Sequence, residues 1–498
     1  MHRQADITSD AAQQDRRKVA PSMHRRRCSG RSDDLTAAGP RDPPIRARGA
    51  YGVPGPESRG EVMDSSGETA SGLGVVRLEA LRYRSLRYVS QELGAFHVLV
   101  GPNASGKSNF LDVVAFLGDL SVTDLITAFR GDSRVGMPLR ATDGRHLVWM
   151  NRGDSFELAV EMAIPDELRF CLGNGDYSAC RYEVAVDVSR APRLTAETLW
   201  LRTGGGARPV EAPQRSLFPE TVEPPASIVR APRARAPNGW RKVVSRGETP
   251  EQVMFQSETT KWRSPFRLGV EESALAALPA DRERFPVAVW FREALRGVRR
   301  IVLSSEGMRR PCPPLRQREY LPDGSNLPHV IHGLERDHPE SHERWIRHIS
   351  EALPDVVGIT TREREEDRHR YLVLRYAGGL EAPSWLVSDG TLRLLALTLL
   401  AYVPDLAGLF LIEEPENGVH PRALETAIQS LSSVYGAQVL LATHSPLVVR
   451  LADREQLLCL ARTNEGGTDV VAGTDHPALR DWQGTADLGT LLASGILG

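Results

Sequence analysis

One stretch, Phe96–Phe110 (FHVLVGPNASGKSNF), constrains this chain more than any other. His97–Val100 is a short apolar run of the kind a buried strand shows, and Gly101-Pro102-Asn103-Ala104-Ser105-Gly106-Lys107-Ser108 follows it directly. Leu111, Val113, Val114, Phe116 and Leu117 then recur at helical spacing. Strand, glycine-bounded loop and helix are the context in which G-x-x-x-x-G-K-[ST] means a phosphate-binding loop. Gly101 and Gly106 let the backbone wrap a phosphate so that successive N–H groups point at its oxygens. The helix N-terminus adds partial positive charge, Lys107 can reach the β- and γ-phosphates, and the Ser108 hydroxyl can ligate Mg²⁺. Lysine is scarce, with Lys18, Lys107, Lys242 and Lys261 the only four, which makes a chance match less frequent still. The stretch reads as a nucleotide site.

At 498 residues the chain can form two or three domains with substantial cores. A formal charge of −2 gives no global sign of a nucleic-acid or membrane partner, so any such surface must be local. No apolar run approaches the length of a membrane span and the N-terminus has no apolar h-region, so a cytoplasmic protein is expected. Cys28, Cys171, Cys180, Cys312 and Cys459 form no C-x-x-C pair, which argues against a disulfide framework or a zinc site.

Residues 1–73 are rich in Arg, Ser, Gly and Pro and are expected to be disordered, with Met63 a candidate start. Their basic run from Arg16 to Arg31 reads as a solvated tail before a nucleic-acid arm. A first lobe, built around the phosphate loop, is expected over 74–202, with strands at Val75–Leu81, Leu147–Met150, Phe156–Ile164 and Tyr182–Val188. Prolines and glycines over 203–265 predict a mobile loop, whose Arg230, Arg233, Arg235 and Arg241 could touch a phosphate backbone. A helical insert is expected over 266–380, with helices at Val287–Arg300, Val330–Leu334 and Trp345–Leu353 and a strand at Tyr371–Tyr376. The second lobe is expected over 381–498.

That second lobe carries the remaining chemistry. Ser388-Asp389-Gly390-Thr391 opens an apolar helix over 392–403, and taken alone these are ordinary capping residues. Gly408–Ile412 is apolar on both faces and runs straight into Glu413 and Glu414. Adjacent acids at the end of a buried strand are costly unless they hold a cation or a reacting group. Ala437–Thr443 is a further apolar strand ending in His444, placed to hydrogen-bond a γ-phosphate.

The phosphate loop, Ser388–Thr391, Glu413-Glu414-Pro415 and Thr443-His444-Ser445 occur in the order used by ABC-type ATPases. The chain resembles the RecF/SMC-like branch of that class, and within it the bacterial AAA-family ATPases related to OLD (overcoming lysogenization defect) proteins. Tyr83–Leu86, Asp323–Pro328 and Glu416–Pro421 extend the resemblance, which covers about residues 74–200 and 285–498. It implies an α/β P-loop fold: a mixed parallel sheet with helices on both faces, an antiparallel β layer and a mostly helical insert. It implies ATP and Mg²⁺ as cofactors, with Gly101 through Asn109 around the triphosphate and Ser108 and Glu413 on the metal. Glu414 would be the water-orienting base and His444 the switch residue. Ser388 and Gly390 would contact ATP held by a second subunit, so that two copies sandwich the nucleotide. Glu413 departs from the commoner Asp, and no Q-loop glutamine is evident after the P-loop helix.

An ATP-hydrolysing homodimer acting on or near DNA, in repair or phage defence, is the leading expectation. Only 54 residues follow His444, too few for a TOPRIM nuclease domain, so a nuclease would be a separate protein. DNA contact is an open reading that no motif demonstrates. The alternatives are an ATP-switched binding module with negligible turnover and, behind it, a transporter's nucleotide-binding subunit.

Overall fold

The apolar runs that end in chemistry lie side by side. The computed structural model describes residues 74–498 apart from 133–135, 173–175, 204–214, 231–234, 248, 315–318, 405, 481 and 483–486. The tail expected over 1–73, its basic run included, lies outside the described residues, as does Arg233. In chain order the strands are β1 (Val75–Tyr83), β2 (Leu86–Glu92), β3 (Phe96–Val100), β4 (Ser155–Ala163), β5 (Tyr177–Asp187) and β6 (Arg193–Thr203). There follow β7 (Trp240–Arg246), β8 (Gln252–Gln256), β9 (Arg263–Arg267), β10 (Val298–Ile301), β11 (Val356–Glu363) and β12 (Arg370–Tyr376). The last are β13 (Glu381–Pro383), β14 (Gly408–Glu413), β15 (Ala437–Thr443), β16 (Leu457–Arg462) and β17 (Thr468–Ala472).

A six-stranded sheet in the order β10-β14-β15-β3-β16-β17 forms the centre, parallel except for β17. Its register explains the site. Thr443 pairs with Val100 and Glu413 with Ala442, so the ends of β3, β14 and β15 fall on one line. Alternate residues of these strands enter two different cores. Leu99, Leu409, Leu411 and Leu440 join the P-loop helix Lys107–Leu120 and the antiparallel layer. Val98, Val100, Phe410, Ile412, Val439 and Leu441 join the helices Leu327–Asp337, Pro339–Ala352, Asp389–Leu399 and Pro421–Ser432. Burial on both faces is why these strands read as unbroken apolar runs rather than alternating ones. Each such buried side chain contributes about 1.5–3 kcal/mol.

The second layer is an eight-stranded antiparallel sheet, β2-β1-β4-β5-β6-β7-β8-β9. It packs over the P-loop helix through Tyr83, Phe116, Phe129 and Phe156, whose ring centroids stand 5.1 to 6.4 Å apart. Asp112 of that helix accepts from the Tyr83 hydroxyl (2.7 Å) and from Arg140 Nε (2.8 Å). Burial pushes the Asp112 carboxyl up, yet Arg140 and Arg84 outweigh it and hold the group below its usual range. The P-loop helix is thereby fixed against rotation by a charge that cannot leave its partners.

Three local expectations change. Leu147–Met150 forms two 3-10 turns rather than a strand, Gly144–Leu147 and Trp149–Asn151, with Met150 at φ 54. The helix expected over Val287–Arg300 ends at Arg296; after Gly297 the chain becomes edge strand β10, because Val298–Ile301 pair with β14. The stretch expected as a mobile loop over 203–265 contains β7, β8 and the start of β9. Its described residues before β7 are tied down: Arg215 donates to both Asp469 oxygens (2.7 Å each), and Ile228 N–H donates to Glu157 (2.7 Å). Arg230 lies over the Trp240 ring and Arg241 donates to the Glu258 carbonyl (2.8 Å), so both are engaged within the protein.

Helix Pro286–Arg296 begins at a remote carboxylate. Glu258 accepts the N–H groups of Val287 and Ala288, both at 2.7 Å, and burial pushes its pKa up to about 7. A carboxyl raised on folding stabilises the native state below its unfolded value, and that contribution is lost as pH rises through 7. Relative to Glu258→Gln, which cannot titrate, the wild type is expected to lose about 1–3 kcal/mol between pH 5 and pH 8.5. Urea midpoints of both proteins at the two pH values measure this.

Candidate nucleotide site

The loop after β3 needs its glycines for steric reasons. Gly106 has φ 106, and a Cβ there would stand 2.2 Å from Thr468 Oγ1. A Cβ on Gly101 would meet the Leu460 carbonyl at 2.0 Å. Pro102, Asn103 and Ala104 face solvent at the crest, while Ser105 is buried beneath them. Gly106 caps the helix with no side chain, so its first N–H groups are left for a ligand. Lys107 folds back over the loop, its Nζ donating to the carbonyls of Gly101 (2.7 Å) and Pro102 (2.9 Å). Burial lowers its pKa, while Glu414, Glu416 and Glu413 pull it back up.

The acids stand on the neighbouring strand end. Glu413 Oε2 accepts from Ser108 Oγ at 2.5 Å, and Glu413 Oε1 accepts from Arg300 Nη2 at 2.6 Å. Glu414 has left-handed backbone (φ 50), held by its N–H on the Ala442 carbonyl at 2.8 Å. Such a conformation is uncommon for a residue with a side chain and tends to concentrate at functional sites. Asn417 Nδ2 donates to Glu414 Oε2 (2.5 Å), and His444 Nδ1 lies 3.5 Å from Glu414 Oε1 and 3.8 Å from Glu416 Oε1. Thr443 Oγ1 donates to Glu416 Oε1 (2.6 Å), while Glu416 Oε2 is buried without a partner. A cleft of about 1420 Å³ opens beside Arg300, Glu413, Glu414, Asn417 and Arg393.

Lys107, Ser108, Glu413, Glu414 and His444 therefore meet, although 337 positions separate Lys107 from His444. Asn109 sits one turn-position further on, donating from Nδ2 to Ser85 Oγ at 2.7 Å. Ser388 and Gly390 stand apart from this group. Ser388 Oγ caps its own helix, accepting from Thr391 N–H at 3.2 Å, and both Ser388 and Asp389 are exposed. Gly390 packs on the loop after Glu414, where a Cβ would meet the Gly418 carbonyl at 2.4 Å.

Arg300, Glu416 and Asn417 were not predicted as site residues. Asn417 and Glu416 had a signal, since they lie on the same turn as Glu414. Arg300 had none, because its segment reads as helix until the edge strand is seen.

A family model described as "AAA domain, putative AbiEii toxin, Type IV TA system" matches residues 96–450, a span that holds Gly101–Ser108, Ser388–Thr391, Glu413–Pro415 and Thr443–Ser445. The chain belongs to this family. This AAA-family chain is also similar to three solved SMC heads. One is the SMC head bound to the C-winged helix domain of ScpA, at 13% identity and TM-score 0.44, covering 80% of this chain and 96% of that one. The second is the SMC head domain from Thermotoga maritima, at 14% identity and TM-score 0.35, covering 80% and 98%. The third is the Smc head with an extended coiled coil bound to the C-terminal domain of ScpA derived from Pyrococcus furiosus, at 13% identity and TM-score 0.36, covering 80% and 95%. No curated protein matches the chain. The AAA-family chain is an α/β protein whose P-loop follows a strand of a mostly parallel sheet. Among its described residues no helix is long and apolar enough to cross a membrane.

Proposed function

We propose that this protein binds and hydrolyses ATP as a homodimer that closes around Mg-ATP. The observation that carries the reading is the meeting of Lys107, Ser108, Glu413, Glu414 and His444 at one line of parallel strand ends. The backbone from Gly101 to Asn109 cradles the phosphates, and Lys107 exchanges its two loop carbonyls for phosphate oxygens. Ser108 and Glu413 offer hard oxygens to Mg²⁺, and among the described residues no group of three or more His, Cys, Asp or Glu could hold a metal alone. That donor set suits an ion held by one or two protein oxygens together with phosphates. When bound, the ion neutralises phosphate charge. Glu414 orients the attacking water and His444, beside it, contacts the γ-phosphate. The segment that carries the exposed Ser388 and the half-buried Gly390 meets the nucleotide of the second copy.

Sedimentation velocity tests the dimer. With Mg²⁺ and a non-hydrolysable imido analogue of ATP the protein is expected to sediment as a dimer, and with ADP as a monomer. A monomer in both conditions contradicts the sandwich.

In the cell we assign it to DNA repair or phage defence, in the cytoplasm, with a separate effector such as a TOPRIM-like nuclease. OLD-like motif order and the toxin–antitoxin wording of the family description support a defence role. Metal-dependent DNA cleavage by the purified chain alone would contradict the separate nuclease. A second reading, an ATP-switched binding module with negligible turnover, is favoured by one observation: Arg300 engages one oxygen of Glu413. Steady-state turnover separates the two.

A further inference from the structure

The segment Arg300–Arg309 joins two parts of the site that sequence motifs leave unconnected: the acids after β14 and the signature-like Ser388–Thr391. It begins at Arg300, paired with Glu413 at 2.6 Å, and continues past the end of β10 as a pinned element. Val302 N–H donates to the Pro322 carbonyl and Ser304 N–H to the Asp323 carbonyl, both at 3.0 Å. Ser304 Oγ accepts from Gly307 N–H at 3.0 Å, and Met308 is buried in the second core. The segment ends on Arg309, which grips the start of the signature helix from both main chain and side chain. Arg309 Nη2 donates to the Val387 carbonyl at 2.9 Å and Nε at 3.3 Å, and the guanidinium pairs with Asp389. Its own carbonyl accepts from Ser384 Oγ at 2.9 Å. On the other side of the same helix start, Gly390 rests on the Gly418 carbonyl, in the loop that carries Glu414 and Asn417.

Ser388 and Gly390 thus sit between two supports that both lead back to this chain's own acids. Arg309 is one support and Gly418 the other. Ser388, Asp389, Trp385 and Leu386 are exposed, so the helix start faces outward with its position set from behind.

We propose that Arg309 is a positioning residue: it holds Ser388 and Gly390 in the register that a second copy's nucleotide requires. The segment from Arg300 to Arg309 ties that register to Glu413. The inference rests on the sandwich reading above. A planar fork suits the role, since it spans a carbonyl and a carboxylate at once and loses little freedom in doing so.

The test uses the full chain and the imido analogue with Mg²⁺. Arg309→Ala is expected to keep the wild-type melting curve and to bind a fluorescent form of the analogue within about twofold as a monomer. Its analogue-driven dimerisation, read by sedimentation, should weaken on the order of tenfold. Arg309→Lys, which keeps the charge but not the fork, should fall between the two. Wild-type dimerisation in Arg309→Ala overturns the inference, and so does a parallel loss of monomer analogue affinity. If Arg309→Ala does not fold, Asp389→Asn carries the test from the other side of the ion pair, and unchanged dimerisation there overturns it. A wild-type protein that stays monomeric with the analogue removes the sandwich reading, and this inference with it.

Discussion

Glu414→Gln is expected to bind ATP as the wild type does and to lose hydrolysis by about 10²–10⁴-fold, the contribution of a positioned base. The substitution keeps the shape and the acceptor oxygen for Asn417 Nδ2, now 2.5 Å away, but removes the charge that draws a proton from water. It also removes the partner that stands 3.5 Å from His444 Nδ1. The loss of charge acts on the reacting water rather than on phosphate binding. A kcat loss with unchanged nucleotide affinity is therefore the signature, read by phosphate release and by equilibrium binding of a fluorescent nucleotide. Turnover within threefold of wild type would take the base role from Glu414. The backbone argues for the residue's importance independently: a non-glycine at φ 50 is held there by the Ala442 carbonyl and the strand ladder beyond it.

Lys107→Ala is expected to weaken ATP binding by about 100-fold or more, with folding stability within about 1 kcal/mol of wild type. The two halves have different causes. Without nucleotide Lys107 donates to the carbonyls of Gly101 and Pro102, which water can serve equally well. In the proposed nucleotide complex the ammonium would meet phosphate oxygens in a partly desolvated loop, where a charge-assisted bond is strong. Lys107→Arg is expected to rescue poorly, since a planar fork does not reproduce a point charge on a short reach. Nucleotide titrations and urea melts of the three proteins measure both halves. An alanine variant that binds ATP normally would refute the assigned role of Lys107.

Much of the site was legible because its residues punctuate apolar strands. A run buried on both faces looks unbroken in sequence, and polar chemistry directly after it stands out: Gly101–Ser108 after β3, Glu413 and Glu414 after β14, His444 after β15. Helices came through where their periodicity was long, as at Lys107–Leu120. Short or edge elements did not. Four residues of β10 continue a helical pattern without interruption, and only pairing with β14 makes them a strand. Strands β7 to β9 lie in a region whose prolines and glycines read as linker; β7–β8 and β8–β9 are hairpins between neighbours, and it is the pairing of β7 with β6 across the intervening stretch that makes them part of the sheet.

The amino-acid sequence by itself determined the chemistry available: a phosphate loop, two adjacent carboxylates, a histidine and a capped helix start, in one order. Tertiary structure alone decided which of them meet. The parallel register of β14, β15 and β3 puts three of the four on one line, while the fourth, Ser388–Thr391, is held outward by Arg309 and Gly418. Register and edge pairing are set by contacts between strands separated along the chain, 111 positions for Val298 with Leu409 and 343 for Phe96 with Val439, and no local pattern encodes those contacts.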